Sequence, residues 1–363
     1  MTQSSIVSQA VIRSIDTNSP LSHMNIRPTT SRLAVFALGL SSFATVASAS
    51  DVILIVKGTV AGTSGQGVTS GPFSNAQIGE AFTFVGGINR SLSGGPSVGV
   101  RSSTVDPSIF FLEIGNVSTT DATVAPGDSA TVGNDVNIGG APVDYLLAEY
   151  EIAAGGVVTA FYQDVIAADF ATNDITLLDG VYVPSNPFSW VRVSDPVNLT
   201  SSLVCWIDSL EIVSRAQLGQ VMCSSATPNS TGFPGELTAE GYDHVLANEL
   251  ELRGTNLPIG QFSMLVGSTT AIAPMTVSNS QGLICLGGNI ARFQTLVQVI
   301  GPSATAPGVG AVVFRPNLQA MPLPTGVAPA MAGETWTFQA WHRDIAGGAA
   351  TTNFTTAVSV PLM

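Results

Sequence analysis

The sequence predicts an all-β protein: two antiparallel β-sandwich domains, jelly-roll-like, in tandem behind a signal peptide. Three observations carry this expectation. Short β-branched and aromatic runs recur along the chain, each bounded by turn residues. The 363 residues include 37 Gly and 21 Pro, which interrupt those runs too often for long helices. Only 10% of residues are charged while 45% are hydrophobic, so the chain can bury a core rather than stay disordered. Its length leaves room for two such cores.

The export signal comes first. Arg27 and Arg32 form a basic region, Leu33 to Leu40 is apolar, and Ala47-Ser48-Ala49 is a small-residue cleavage site. The apolar run falls short of the ~20 residues a membrane helix needs. Cleavage after Ala49 leaves a mature chain that starts Ser50-Asp51 and contains no later run long enough to span as a helix. The residues before Met24 fit neither signal nor domain. Both a start at Met24 and a long polar lead remain open.

The N-terminal domain is expected over 50–215. VILIVKGTV at 52–60 suits a first strand, and residues 61–77 form a Gly/Ser loop. Phe82 and Phe84 alternate with Thr83 and Val85 in a strand at 80–86. A Gly/Ser/Pro-rich stretch follows from Arg90 to Arg101. Further strands are expected at 108–114, 129–138, 143–152, 157–165 and, closing the domain, 202–213. A short helix is expected near 164–171. A boundary falls at 214–222, and a second domain spans 219–363. Its strands are read at 236–242, 247–254, 260–269, 281–286, 290–299, 309–315, 333–342 and 353–360. In 249–253, Leu250 and Leu252 oppose Glu249, Glu251 and Arg253, the half-buried alternation of an antiparallel strand.

Several strings in the second domain are familiar: Cys223 with PNSTG at 228–232, ICLGG at 284–288, GETWTFQAWHRD at 333–344 and NFTTAVSV at 353–360. Together they resemble a β-rich C-terminal module of secreted proteins from planctomycete-type bacteria, with His342 where that module has Tyr. The resemblance implies export and architecture and carries no activity. The first domain is similar, more loosely, to the β-sandwich ectodomains of PEP-CTERM-type exported proteins, through DVILIVKGTV, GEAFTF at 79–84 and SLEIVS at 209–214. The sorting tail of that class is missing from the closing SVPLM, which argues against anchoring by that route.

The net charge of −13 repels phosphate backbones and anionic lipid, so nucleic acid is excluded as a partner; solubility is the first reading of this acidity. Gly95-Pro96-Ser97-Val98-Gly99 matches a nucleophile elbow, but no helix follows it. His244 and His342 are the only histidines after the signal. Asp344 shares a face with His342 if the strand persists that far; the simpler reading makes His342 an edge residue and Asp344 a turn cap. Glu149 and Glu151 share a strand face, as surface carboxylates commonly do. Asn173, Asp174 and Asp179 offer oxygen ligands for calcium, although their spacing fits no EF-hand loop. Zinc is not expected from two histidines and three scattered cysteines. Trp336 and Trp206 are read as core residues; Trp190 and Trp341 are the better candidates for exposed tryptophans able to stack on sugar rings, with core or inter-domain packing the simpler reading even for these two. In an oxidising compartment Cys223 is expected to pair with Cys285, leaving Cys205 as a buried thiol; the rival pairing, Cys205 with Cys223, would staple the two domains across a short linker.

The expected function is that of a secreted, non-catalytic surface, matrix or adhesion component without a cofactor. Its partners would be surface or matrix polymers. A glycan-binding module using exposed tryptophans is the alternative, and a hydrolase with an unidentified site comes third.

Overall fold

A computed structural model describes residues 51–363, apart from 90–98, 121, 124–128, 139–140, 153–155, 165–169, 171–177, 185–188, 199, 225 and 324–325. The signal segment, Ser97, Asn173, Asp174 and most of the expected helix at 164–171 lie outside the described residues. The described residues contain no α-helix, and all strand pairing among them is antiparallel. No helix among them is long and apolar enough to cross a membrane.

Eight long strands fill the first half: β1 (Val52–Ser64), β2 (Ala81–Asn89), β3 (Gly99–Ile114), β4 (Ala130–Ile138), β5 (Ala141–Ile152), β6 (Val157–Asp164), β7 (Trp190–Ser194) and β8 (Ser202–Ser214). Each pairs with the next in sequence, and β1 also pairs with β8. The expected antiparallel β-layers are thus one sheet closed on itself, with up-and-down connections rather than a jelly-roll crossover. Closure leaves no exposed edge in this ring.

An eight-stranded ring is just wide enough for side chains to fill. Tyr150, Tyr162, Phe84, Leu112 and Leu146 are fully buried within it. Phe84, Phe110 and Tyr150 make mutual ring contacts at 5.4–5.8 Å, and the Tyr150 hydroxyl donates to the Gly87 carbonyl at 2.8 Å. The closing seam is tight at Gly58, where a Cβ would lie 1.9 Å from the Trp206 carbonyl oxygen. Only glycine lets β1 and β8 meet there. One mouth is covered by the 65–80 loop, which sends Val68 and Phe73 into the core. Asp195 fastens this loop by accepting from the amides and hydroxyls of Thr69 and Ser70, and from the amides of Val197 and Asn198. Burial opposes its ionisation, but these donors hold its pKa far below the usual carboxylate range.

After Arg215 the chain forms β9 (Ala216–Leu218), β10 (Gln220–Met222), β11 (Glu236–Gly241), β12 (Leu250–Leu257), β13 (Phe262–Ser268), β14 (Ala271–Thr276), β15 (Leu283–Leu286), β16 (Gly310–Phe314), β17 (Thr335–Ala346) and β18 (Ala349–Pro361). One sheet runs β9-β11-β12-β16, and a second runs β10-β18-β17-β13. Leu237, Leu252 and Phe314 of the first sheet face Leu265, Trp336, Phe338 and Val358 of the second in one apolar cluster. This is the sandwich the alternation predicts.

The β14–β15 hairpin joins the second sheet through Gln339, which is fully buried. Its Oε1 accepts from the Cys285 amide at 2.8 Å, and its Nε2 donates to the carbonyls of Leu283 and Thr355. The disulfide expected between Cys223 and Cys285 is formed, with Cα atoms 6.2 Å apart. Cys205 is a free thiol inside the ring, and burial pushes its pKa up to about 12.

Residues 48–363 make one compact unit. The two strand sets share no ladder among the described residues, yet Ile53, Ile55, Val85 and Ile109 cluster with Tyr242 and Ala247. The outer wall of β1–β3 is therefore covered by the 242–247 turn.

Candidate functional site

Alternation decides what the opposite wall of the ring presents. Val158, Ala160 and Tyr162 of β6 point inward, as do Val191 and Val193 of β7 and Leu203, Cys205 and Ile207 of β8. Their neighbours Phe161, Trp190 and Trp206 must then point outward. Register sets them side by side: Leu147 pairs with Phe161, Phe161 with Trp190, and Trp190 with Trp206. Tyr145 lies diagonal to Phe161 with ring centroids 6.3 Å apart, and Phe161 and Trp190 are 5.5 Å apart. The result is an aromatic row across four adjacent strands.

Trp206, read from the sequence as a core residue, is 44% exposed at the end of this row. The inward place belongs to its neighbour Cys205. Trp190, Phe161 and Tyr145 are half-buried, largely against one another. The Arg192 guanidinium sits 4.8 Å above the Trp190 ring, a cation–π contact at an exposed site. Register places Glu149 and Thr159 opposite each other, and Thr159 opposite Arg192, so a polar row runs beside the aromatic one. The expected Glu149–Glu151 pair occupies the same outer wall, both residues half-buried.

The other candidates lie elsewhere. Trp341 is half-buried against Val266, Leu286 and Phe354 beside the disulfide-bonded hairpin, rather than open on a sheet face. Trp336 is in the sandwich core. Asp179 is exposed, and its Oδ1 accepts from the Ser214 amide at 2.6 Å. Among the described residues no three His, Cys, Asp or Glu side chains gather as a metal site.

His342 is not an edge residue: β17 lies between β18 and β13, and His342 is fully buried. The strand persists to Ala346, so His342 and Asp344 do share a face. Asp344 Oδ1 accepts from the amides of Ser230 and Ile345, which ties the 228–232 loop to the strand. His244 lies at the junction between the strand sets, 3.0 Å from Asp243 Oδ1 and 3.6 Å from Glu211 Oε1. In the same region Glu251 takes Arg253 at 2.8 Å and Arg315 at 2.6 Å, while Glu249 takes Arg215 at 3.1 Å. Burial outweighs the Arg215 charge at Glu249, with Asp106 adding to the effect, and raises its pKa to about 7.

Comparison with family models, curated proteins and solved structures finds no match to this chain.

Proposed function

We propose that this is an exported, non-catalytic protein that holds surface or matrix carbohydrate on the outer wall of its β-ring. The observation that carries the reading is the row Tyr145–Phe161–Trp190–Trp206 on one face of four adjacent strands. Such rings offer wide, stiff apolar faces at low entropic cost, which suits the C–H faces of sugar rings. Arg192 and the Thr159 hydroxyl beside the row can bond sugar hydroxyls. A contiguous apolar patch rimmed by polar groups is also what marks an interaction site on an otherwise polar surface.

Retention on a panel of insoluble polysaccharides, read together with tryptophan quenching, tests this. The wild-type chain is expected to be retained by at least one polymer. Trp190→Ala/Trp206→Ala is expected to bind at least tenfold more weakly with an unchanged melting temperature. No retention by any polymer, equal retention of the double variant, or burial of the row in a self-association interface would each overturn it.

Export is part of the same proposal. It is supported by the segment Arg27–Ala49 and by a disulfide of the kind that persists in oxidising compartments. Mass spectrometry of the mature protein is expected to find Ser50 at its N-terminus. An intact chain retaining Arg32 in the cytoplasm would refute this part.

A further inference from the structure

A second surface, in the C-terminal sandwich and sharing no residue with the aromatic row, has a different chemistry. Two cavities of about 580 and 440 Å³ lie between the 288–296 segment and the paired strands Met321–Leu323 and Gly326–Ala328. Arg292, Gln294 and Pro322 line both, so they form one groove. Each part falls within the usual ~300–1,000 Å³ of a small-molecule site.

The charge of this groove runs against that of the chain. The sequence has 25 Asp and Glu against 12 Lys and Arg, yet the described residues that line the groove include two arginines and no acidic residue. Arg315 already bonds Glu251 at 2.6 Å on one side. Arg292 is exposed, held by backbone pairing with Val266, and its guanidinium has no ionic or hydrogen-bonded partner among the described residues. The remaining polar wall includes Asn289, Gln294, Thr295 and Asn317, the last with its Oδ1 accepting from the Gln319 amide. Phe293, Pro322 and Val327 supply apolar surface between them.

We propose that this groove binds a carboxylate-bearing saccharide, with Arg292 as the anchor of the acid group. A free guanidinium pairs with a carboxylate through two parallel hydrogen bonds, a match that a hydroxyl or a neutral amide cannot offer. Asn289 and Gln294 supply donors and acceptors for the hydroxyls that flank the acid on a sugar ring. The apolar surface takes the C–H face of that ring. A phosphate fits less well: the groove has no lysine, and no α-helix begins there, only the three-residue 3-10 turns Gln294–Leu296 and Leu318–Ala320. The assignment stands on the groove alone and does not depend on the aromatic row.

Titration calorimetry of the mature chain with oligogalacturonate tests it. The same oligomer in methyl-esterified form removes the charge, and inorganic phosphate and dextran sulfate supply charge without the carboxylate. Oligogalacturonate is expected to bind. Esterification or Arg292→Gln is expected to weaken binding at least tenfold, and phosphate and dextran sulfate to bind at least tenfold more weakly than the acid. Trp190→Ala/Trp206→Ala is expected to leave this binding unchanged, which separates the groove from the ring wall. Absence of binding at millimolar ligand, equal binding of the ester, an unaffected Arg292→Gln, or equal binding of dextran sulfate or phosphate would each overturn the proposal. So would loss of binding in the tryptophan double variant.

Discussion

Replacing both Cys223 and Cys285 with serine is expected to cost the C-terminal sandwich about 4 kcal/mol of stability. The bridge spans 62 positions. Removing a loop closure of that size from the unfolded chain costs about 4 kcal/mol in the chain-entropy model. The loss has a definite location. Cys223 directly follows β10, the edge strand that pairs with β18 through Gln220–Met222, while Cys285 belongs to the hairpin bonded to Gln339. Without the bridge, the hairpin keeps its Gln339 bonds and its small apolar cluster of Val266, Leu286 and Phe354. Local opening at 271–286 is therefore expected before global unfolding. Urea melts of oxidised, reduced and doubly substituted protein measure the first effect, and amide exchange at 271–286 measures the second. A denaturation midpoint that does not move with reduction would show that the staple is idle.

Acid is expected to destabilise the same domain through His342. The ring sits on the inward face of β17, in line with Trp336, Phe338 and Ala340, with no exposure to solvent. Neither ring nitrogen makes a hydrogen bond. Gly235 lies close by: a Cβ there would be 3.5 Å from the imidazole Cε1. Burial lowers the pKa from 6.5 to about 4, with the Asp344 charge and the Ala340 backbone acting weakly the other way. The unfolded chain then binds more protons than the folded one between these two values. Stability from this residue is intact above pH 6.5, falls as pH drops toward 4, and levels off below it. A shift of this size is worth about 3 kcal/mol at its limit. His342→Phe keeps a ring of similar size and removes the titration. It is expected to flatten the stability profile between pH 6.5 and 4, and to leave stability at pH 7.5 equal or higher because two unpartnered nitrogens are gone. Identical pH slopes in both proteins would rule out this account.

Strand positions were largely legible because each runs between turn residues. VILIV at 52–56 reads as a strand from composition, and its lack of alternation has a structural cause. Val52, Leu54 and Val56 face the interior of the ring, while Ile53 and Ile55 face Tyr242 and Ala247. A strand covered on both sides has no polar face to show. The β7 strand was missed because five residues, Trp190–Ser194, flanked by prolines at 187 and 196, give too little pattern. The part of β3 from Gly99 onward was missed because its Gly/Ser/Pro-rich lead reads as loop.

The sequence by itself determined the all-β class, which follows from local pattern; it favoured Cys223–Cys285 because both cysteines share the C-terminal segment, and the 6.2 Å Cα separation in the fold decided for that pair over Cys205–Cys223. Only the tertiary structure decided that β1 returns to pair with β8 and that Trp206 faces outward beside Trp190. It alone brought Arg292 and Arg315 to one groove. These outcomes depend on register between strands far apart in the chain. A shift of one residue exchanges the inner and outer faces, and nothing in the local sequence of 202–214 states which strands will lie on either side of it.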